Sequence, residues 1–416
     1  MTDYTFPLPY GHEYEGERIR AENLRLECGG AGSRMVEWLT TAGMEEIEDG
    51  RIEVVGPDIK DASEKTTLPL AIVVKVAGSK MQADYEPVLE KQIHRILNRL
   101  QGVMHIGQRA IACLRISKAA VEKGFTLRHL GVILHKKLLE DFGRIVDKVQ
   151  VTIYTGEDKV AEIFAEAENA YRFRDTRIEG MTDEETDTFY SCIVCQSFAP
   201  FHICTISPER SSPCGSYNWL DCKASSEIDP TGPNKAVLKG KAKDSRLGQW
   251  QGINDFVKKA SQGKTEYYNL YSIMDKPMPT CEWVECISVV LPLCNGIMIA
   301  DRDYTGMTPC GMNFKTIVDN IKGELNTPGF MGHSQYNITQ RKFIQAEGGI
   351  KRIVWMPKIL KDKIINRFSA IALEIGIPDL LDRIADDYIG TSEEAILPFL
   401  KTKKHPALSL EPLIRL

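Results

Sequence analysis

The 416-residue chain carries a formal net charge of −5, with 43% hydrophobic and 26% charged residues, the balance of a globular enzyme of two or three domains. A pI near 6.0 without a dense basic stripe argues against nucleic acid as a partner, and the longest apolar stretches, such as CISVVLPLC, fall far short of the ~18–20 residues a membrane span needs. MTDYTFPLPYGHEYEGE has neither a basic start nor an apolar core, so no export signal is read there and a cytoplasmic location is expected.

Residues 1–165 read as one mixed α/β domain. RIEVVGP and LPLAIVVKVAG are β-rich runs punctuated by Gly56-Pro57 and Gly78. EPVLEKQIHRILNRLQG predicts a helix: Val88, Leu89, Ile93, Ile96, Leu97 and Leu100 recur at helical spacing, and Gly102 stands where a C-cap glycine would. IACLRIS and VDKVQVTIYT predict two more strands, with a helix through Leu130, Ile133, Leu134 and Leu138 between them. EDKVAEIFAEAENAYRFRDTRIE is helical and polar on one face, which suits a connector between domains. The second domain, 166–416, is expected to hold a Pro- and Gly-rich part from about 183 to 345, as loops wrapped round a cofactor are. Within it DPTGPNKAVLKGKAKDSRLGQ reads as an exposed loop, with Lys239, Lys241 and Lys243 as a solvated face. IKRIVWMP reads as a strand, LKDKIINRFSAIALEIG as a helix and HPALSLEPLIRL as a short tail.

Eleven cysteines in a chain without an export signal point away from disulfides. Four of them run Cys192-x2-Cys195-x8-Cys204-x9-Cys214, on backbone made irregular by Pro200, Pro208, Pro213 and Gly215. Two thiolates two residues apart suit adjacent corners of a 4Fe–4S cluster, and the later two arrive from separate loops. A structural zinc site and inert thiols are the competing readings, although zinc usually takes paired knuckles or Cys/His sets. His202, two before Cys204, is either a ligand or a hydrogen-bonding neighbour. Cys281, Cys286, Cys294 and Cys310 form a later group from which a thiolate would reach the same cofactor. Cys286 and Cys294 also fit burial as small hydrophobes, and Cys28, Cys113 and Cys222 read as structural.

FYSCIVCQSFAPFHIC, followed by SPER, CG and NWLD, resembles acetyl-CoA synthase, the β subunit of acetyl-CoA decarbonylase/synthase. PYGHEYEGERIR, EEIEDGRIEVVGPDI, QGVMHIGQR, NGIMIADRDYTGMTP, TPGFMG and GGIKRIVWMPK carry the likeness over residues 5–411. The resemblance implies a mixed α/β chain with a mixed-sheet N-terminal domain and a C-terminal metal-cluster domain, lacking the N-terminal domain of long bacterial acetyl-CoA synthases. It also implies a nickel–iron–sulfur centre, the A-cluster, in which a 4Fe–4S cubane is joined to a proximal nickel through one cysteine. On the matching positions Cys192, Cys195, Cys204 and Cys214 hold the cubane, Cys195 is the bridging thiolate, and Phe198 walls the nickel. In the family a distal nickel sits in a Cys-Gly-Cys tripeptide, with two thiolates and two backbone nitrogens in a square plane. The matching segment here is Cys281-Glu282-Trp283, so only the Cys281 thiolate is kept, and one or two nickel ions are expected. A glycine-rich turn before PGFMG is reduced to Gly323. Cys286 and Cys310 are the thiols that would replace the missing ligand.

The activity implied joins a methyl group from a corrinoid iron–sulfur protein to carbon monoxide from carbon monoxide dehydrogenase, and passes the acetyl group to coenzyme A. It belongs to the anaerobic Wood–Ljungdahl pathway. The metals supply the bond making and the protein supplies coordination and access. Arg109, Arg115 and Lys118 in QRAIACLRISK are candidates for the phosphates of coenzyme A, or else charges flanking a strand. The altered tripeptide keeps two alternatives open: a divergent paralogue with another corrinoid-linked methyl or acyl transfer, and a non-catalytic electron-transfer or assembly subunit.

Overall fold

The computed structural model describes residues 6–414 apart from 31–32, 64–65, 109–110, 198 and 324–325. Two compact units make up the chain, Met1–Glu179 and Gly180–Leu416. No helix among the described residues is long and apolar enough to cross a membrane.

In the first unit the elements run β1 (Leu24–Gly29), β2 (Met35–Thr41), β3 (Ile52–Val55), β4 (Thr66–Leu68), β5 (Leu70–Ala77), α1 (Glu86–Leu97), β6 (Val103–Gln108), β7 (Ile111–Ser117), α2 (Lys118–Glu122), α3 (Leu127–Phe142), β8 (Lys148–Tyr154) and α4 (Glu157–Thr176). They build two four-stranded sheets, ordered β4-β1-β7-β6 and β2-β5-β8-β3. Both mix parallel and antiparallel pairs. β5 is central and covered on both faces, which is why LAIVVKVA is nearly unbroken apolar sequence. β8 alternates instead, with Val149, Val151 and Ile153 buried between half-exposed neighbours. Those three face α3, and the fit is close at Gly131, where a Cβ would lie 2.5 Å from Ile52 Cγ2. Overpacking costs about 1–3 kcal/mol, and replacing a mid-helix glycine by alanine returns about 1. Gly131→Ala is therefore expected to lower stability by roughly 1 kcal/mol in urea unfolding; a gain would show that the helix shifts freely.

Two expectations need correcting here. α1 ends at Leu97 with Asn98 as its C-cap, so Gly102 caps no helix; at φ +75 it makes the turn into β6. The segment expected to connect domains is α4, which lies within the first unit, and the division falls after Glu179 rather than at 165. The reason is packing: Val160, Ile163, Ala167 and Tyr171 bury against Val36 and Ala71 on the outer face of the β2–β5 sheet. Tyr171 Oη donates to Glu37 O (2.7 Å). Arg174 donates to Glu90 (3.1 Å), Glu86 (3.1 Å) and Leu39 O (3.2 Å), all away from water.

The second unit begins with a small sheet. β9 (Thr188–Cys192) is flanked by β10 (Cys204–Ile206) and, after α5 (Trp219–Ile228), by β11 (Asn234–Leu238). β12 (Ala242–Asp244) and β13 (Gln249–Trp250) form a hairpin leading into α6 (Gln251–Ala260). The stretch expected to be a loop thus contains a strand: β11 pairs with β9 over five residues, and Lys239 Nζ is drawn onto Asp183 O (2.6 Å). Its proline and glycines only frame the strand. An aromatic core of Phe189, Tyr190, Trp250, Tyr268 and Tyr271 fills the space beneath.

The larger sheet follows from β14 (Cys286–Leu291), β15 (Gly296–Asp301), α7 (Phe314–Ile321), β16 (Phe330–His333), β17 (Ile353–Trp355), α8 (Lys358–Glu374), α9 (Leu380–Arg383) and α10 (Glu393–Thr402), in the strand order β16-β14-β15-β17. One face carries α8 and the core of Ile273, Cys286, Ile297 and Phe368. The other carries α7 and α10 with Ile287, Val289, Met298 and Ile317. The expected tail is also corrected. Ala407 is buried, Asn295 Nδ2 holds Ala407 O and Leu410 O (2.9 Å each), and Arg352 holds Glu411 O (2.5 Å).

Candidate metal centre

β9 ends on Cys192 and β10 begins on Cys204, and the two residues stand opposite each other in the antiparallel pair. Directly opposed residues share a sheet face, so both thiols face the same way. The loop between them holds Cys195 in a 3-10 turn, Val194–Ser197, closed by Ala199 N–H on Cys195 O (2.9 Å). Cys214 sits in a tight turn where Ser212 N–H meets Tyr217 O (2.8 Å) and Gly215 N–H meets Ser212 O (2.9 Å). Gly215 has φ +70, a conformation that favours glycine, and a Cβ there would fall 2.3 Å from Glu285 Oε1 and displace that carboxylate. Glu285 N–H in turn holds Pro213 O (3.1 Å), tying the turn to the segment that starts at Cys281.

Cys281 lies in the middle of this group. Its sulfur accepts hydrogen bonds from Cys195, from the buried His202 and from the Trp283 N–H, which together hold it well below the usual thiol range against the opposing effect of burial. Cys195 is pushed well up because it donates to Cys281 and is buried. Burial pushes up Cys204 and Cys214 too, with the field of Cys281 adding to both. His202 bridges further, with Nε2 3.2 Å from Cys204 Sγ and Nδ1 3.4 Å from Gly323 O. The backbone after Cys281 is clamped by Arg302, whose Nη2 donates to Glu282 O (2.6 Å) and Nε to Val284 O (2.9 Å). Glu282 itself turns away to Lys322 (3.1 Å).

The family model for the C-terminal part of the ACS/CODH beta subunit matches residues 171–414, and that for the beta subunit of the CO dehydrogenase/acetyl-CoA synthase complex matches residues 6–160. The chain belongs to the ACS/CODH beta subunit family. It is 48% identical over 409 residues to the carbon monoxide dehydrogenase/acetyl-CoA synthase subunit alpha of Moorella thermoacetica, covering 98% of this chain and 56% of that one. With the acetyl-CoA decarbonylase/synthase complex subunit beta of Methanopyrus kandleri it shares 40% identity over 403 residues, 97% of this chain and 84% of the relative. The chain thus spans little more than half the length of the Moorella protein. A solved C-terminal domain of the acetyl-coenzyme A synthase alpha subunit, 48% identical, covers 32% of this chain and all of that one at a TM-score of 0.31, too low to bear on the fold.

For an ACS/CODH beta subunit the test is whether these residues suit a thiolate-held cluster, and their chemistry does. One thiolate is stabilised by three donors, while the thiols around it resist ionisation because they are buried and face one another's charge. The positive charge of an iron–sulfur core would let such a set ionise together, leaving the thiolate-ligated cluster anionic overall. Among the described residues no three His, Cys, Asp or Glu side chains stand as they would around a single ion.

The residues predicted from the sequence divide as follows. Cys192, Cys195, Cys204, Cys214 and Cys281 come together. Cys286 lies on the opposite face of β14 from Cys281, its thiol 3.6 Å from Asp301 Oδ2, so strand alternation points it away from the group. Cys310 belongs to the same apolar layer as Cys281, Cys195 and Trp283, with its sulfur 3.3 Å from Thr308 Oγ1. Arg115 is paired with Glu27, its cross-strand neighbour, and Lys118 opens α2. Phe198 and Arg109 lie outside the described residues. Sequence reasoning missed Arg302, for which the one signal was a lone cation in the apolar run NGIMIADRDY.

Proposed function

We propose that this chain is an acetyl-CoA synthase-type acyltransferase, joining a corrinoid-derived methyl group, carbon monoxide and coenzyme A at a 4Fe–4S/nickel centre. The observation that carries the reading is the gathering of Cys192, Cys195, Cys204 and Cys214 around Cys281 in a family member. When bound, the nickel and iron would supply carbon monoxide and methyl binding and the carbon–carbon bond formation. The chain's own part is to fix the ligands: Cys192, Cys195, Cys204 and Cys214 would hold the cubane, Cys195 and Cys281 the nickel side. His202 and the Trp283 N–H orient Cys281, and Arg302 keeps the following peptide from swinging. Arg115 and Lys118 remain the candidates for the coenzyme A phosphates, and a phosphate there must share the Arg115 guanidinium with Glu27. A corrinoid iron–sulfur protein and carbon monoxide dehydrogenase are the partners this reading requires.

One observation favours a second reading, a paralogue with a single nickel and another methyl or acyl transfer. Glu282 faces Lys322, and the tripeptide Cys281-Glu282-Trp283 offers no second thiolate. Metal analysis of anaerobically prepared protein decides between them: about two nickel ions per four irons support the synthase, about one supports the paralogue, and iron alone removes both. Carbon monoxide exchange with the carbonyl of acetyl-CoA then tests the activity. The double substitution Glu282→Gly, Trp283→Cys is expected to add about one nickel per chain by completing a square-planar donor set. An unchanged nickel content would overturn the idea that Glu282 and Trp283 alone withhold a second site.

A further inference from the structure

Arg210 follows β10 directly. Ser207 and Arg210 exchange backbone hydrogen bonds of 2.9 and 3.1 Å, closing a turn just after the strand that begins at Cys204. The side chain is 4% exposed. Nη1 donates to Leu270 O (2.5 Å) and lies 3.9 Å from Met331 Sδ. Nε and Nη2 have no hydrogen-bond partner, and no carboxylate lies within ion-pair distance of the guanidinium among the described residues. Asp183, whose field reaches Arg210, spends Oδ1 on the Glu209 N–H and Oδ2 on the Ser207 and Tyr271 hydroxyls. His333 also feels the guanidinium and stays neutral, its pKa down at about 3 through burial, with Arg210 adding to the effect. A guanidinium buried without a counter-ion is among the costliest groups a core can hold. Burial accordingly holds Arg210 below the usual guanidinium range, opposed by the buried phenol Tyr268, by Cys204 of the candidate centre, by Tyr271 and by Asp183.

We propose that Arg210 is the resident counter-cation of the thiolate-held cluster, offsetting the negative charge of its ligands and raising its reduction potential. This rests on the reading that Cys192, Cys195, Cys204 and Cys214 carry an iron–sulfur cluster. Four thiolates make such a cluster anionic, and reduction adds another negative charge. A fixed positive charge inside the low-dielectric core stabilises the reduced state more than the oxidised one. Two N–H groups without protein partners are what such a role leaves over.

The test compares wild type, Arg210→Lys and Arg210→Met, prepared anaerobically, for iron and sulfide content and then for midpoint potential by EPR-monitored titration. The methionine variant is expected to make reduction at a fixed potential about tenfold less favourable, about 59 mV for one electron, and lysine to keep most of the wild-type value. Equal potentials in loaded wild type and Arg210→Met overturn the assignment. If the methionine variant does not load, melting of the metal-free proteins decides. Metal-free Arg210→Met melting at or above metal-free wild type supports a charge that is waiting for the cluster. Melting below it assigns Arg210 to the Leu270 bond and overturns the proposal. Wild-type protein without iron and sulfide overturns the cluster reading itself, a result distinct from either of these.

Discussion

Arg174→Met is expected to cost the first unit about 3–5 kcal/mol, because it leaves the Glu90 and Glu86 carboxylates buried without their cation. Arg174 is about 5% exposed and Glu90 about 10%, so solvent does little to screen the loss. The pH dependence separates this cause from simple loss of packing. Burial raises Glu90 above its ordinary 4.5 in the folded state, opposed by Arg174. A raised carboxylate means that the folded chain binds the extra proton, so its contribution to stability falls as pH rises above 4.5. Without Arg174 the rise is larger. The deficit of the variant against wild type should therefore be greatest near neutral pH and shrink toward pH 4.5. Hydrogen exchange at β2 and α4 reads this within the first unit. A deficit that is flat with pH would show that the guanidinium matters for its contacts alone.

The second large effect belongs to the candidate metal centre. Cys195→Ser is expected to lower metal affinity by more than the ~10–100-fold that loss of a supporting partner costs, since Cys195 is both a proposed ligand and the donor to Cys281. Cys286→Ser is the matched control. Its thiol faces Asp301 in the other core, so iron and nickel contents should match those of wild type. If the two variants lose metal equally, the placement of Cys286 outside the ligand group is wrong.

How much of this was legible in the sequence varied with the kind of signal. β5, α1 and α8 declare themselves through unbroken or periodic apolar runs, and the four spaced cysteines mark the candidate site. β1 and β2 did not, because LRLECG and MVEWLTT mix charge with apolar residues in strands too short for a clear period. β11 was hidden by the Pro, Gly and Lys around it; its pairing to β9 is a tertiary fact that no local propensity announces. The helix α4 looked like a connector because its exposed face is so polar, whereas its buried stripe of Val160, Ile163, Ala167 and Tyr171 is narrow. At the site, spacing named the cysteines and marked His202, two before Cys204, as a neighbour. Arg302 reaches the backbone after Cys281 from the end of β15, and only folding brings it there.

The clamp on Cys281-Glu282-Trp283 has a consequence for how a metal would be taken up. Arg302 fixes the carbonyls of Glu282 and Val284, Gly323 N–H holds Thr280 O (2.9 Å), and Lys322 anchors the Glu282 side chain. A loop already ordered gives up little conformational entropy when an ion arrives, since each residue fixed from a free state would otherwise cost about 1–2 kcal/mol. Affinity at this position would then depend on which donor atoms the tripeptide offers and little on the cost of ordering its backbone. The departure at Glu282 and Trp283 lies in side chains set on a preorganised frame, so under the proposed function a second metal site would turn on two residues.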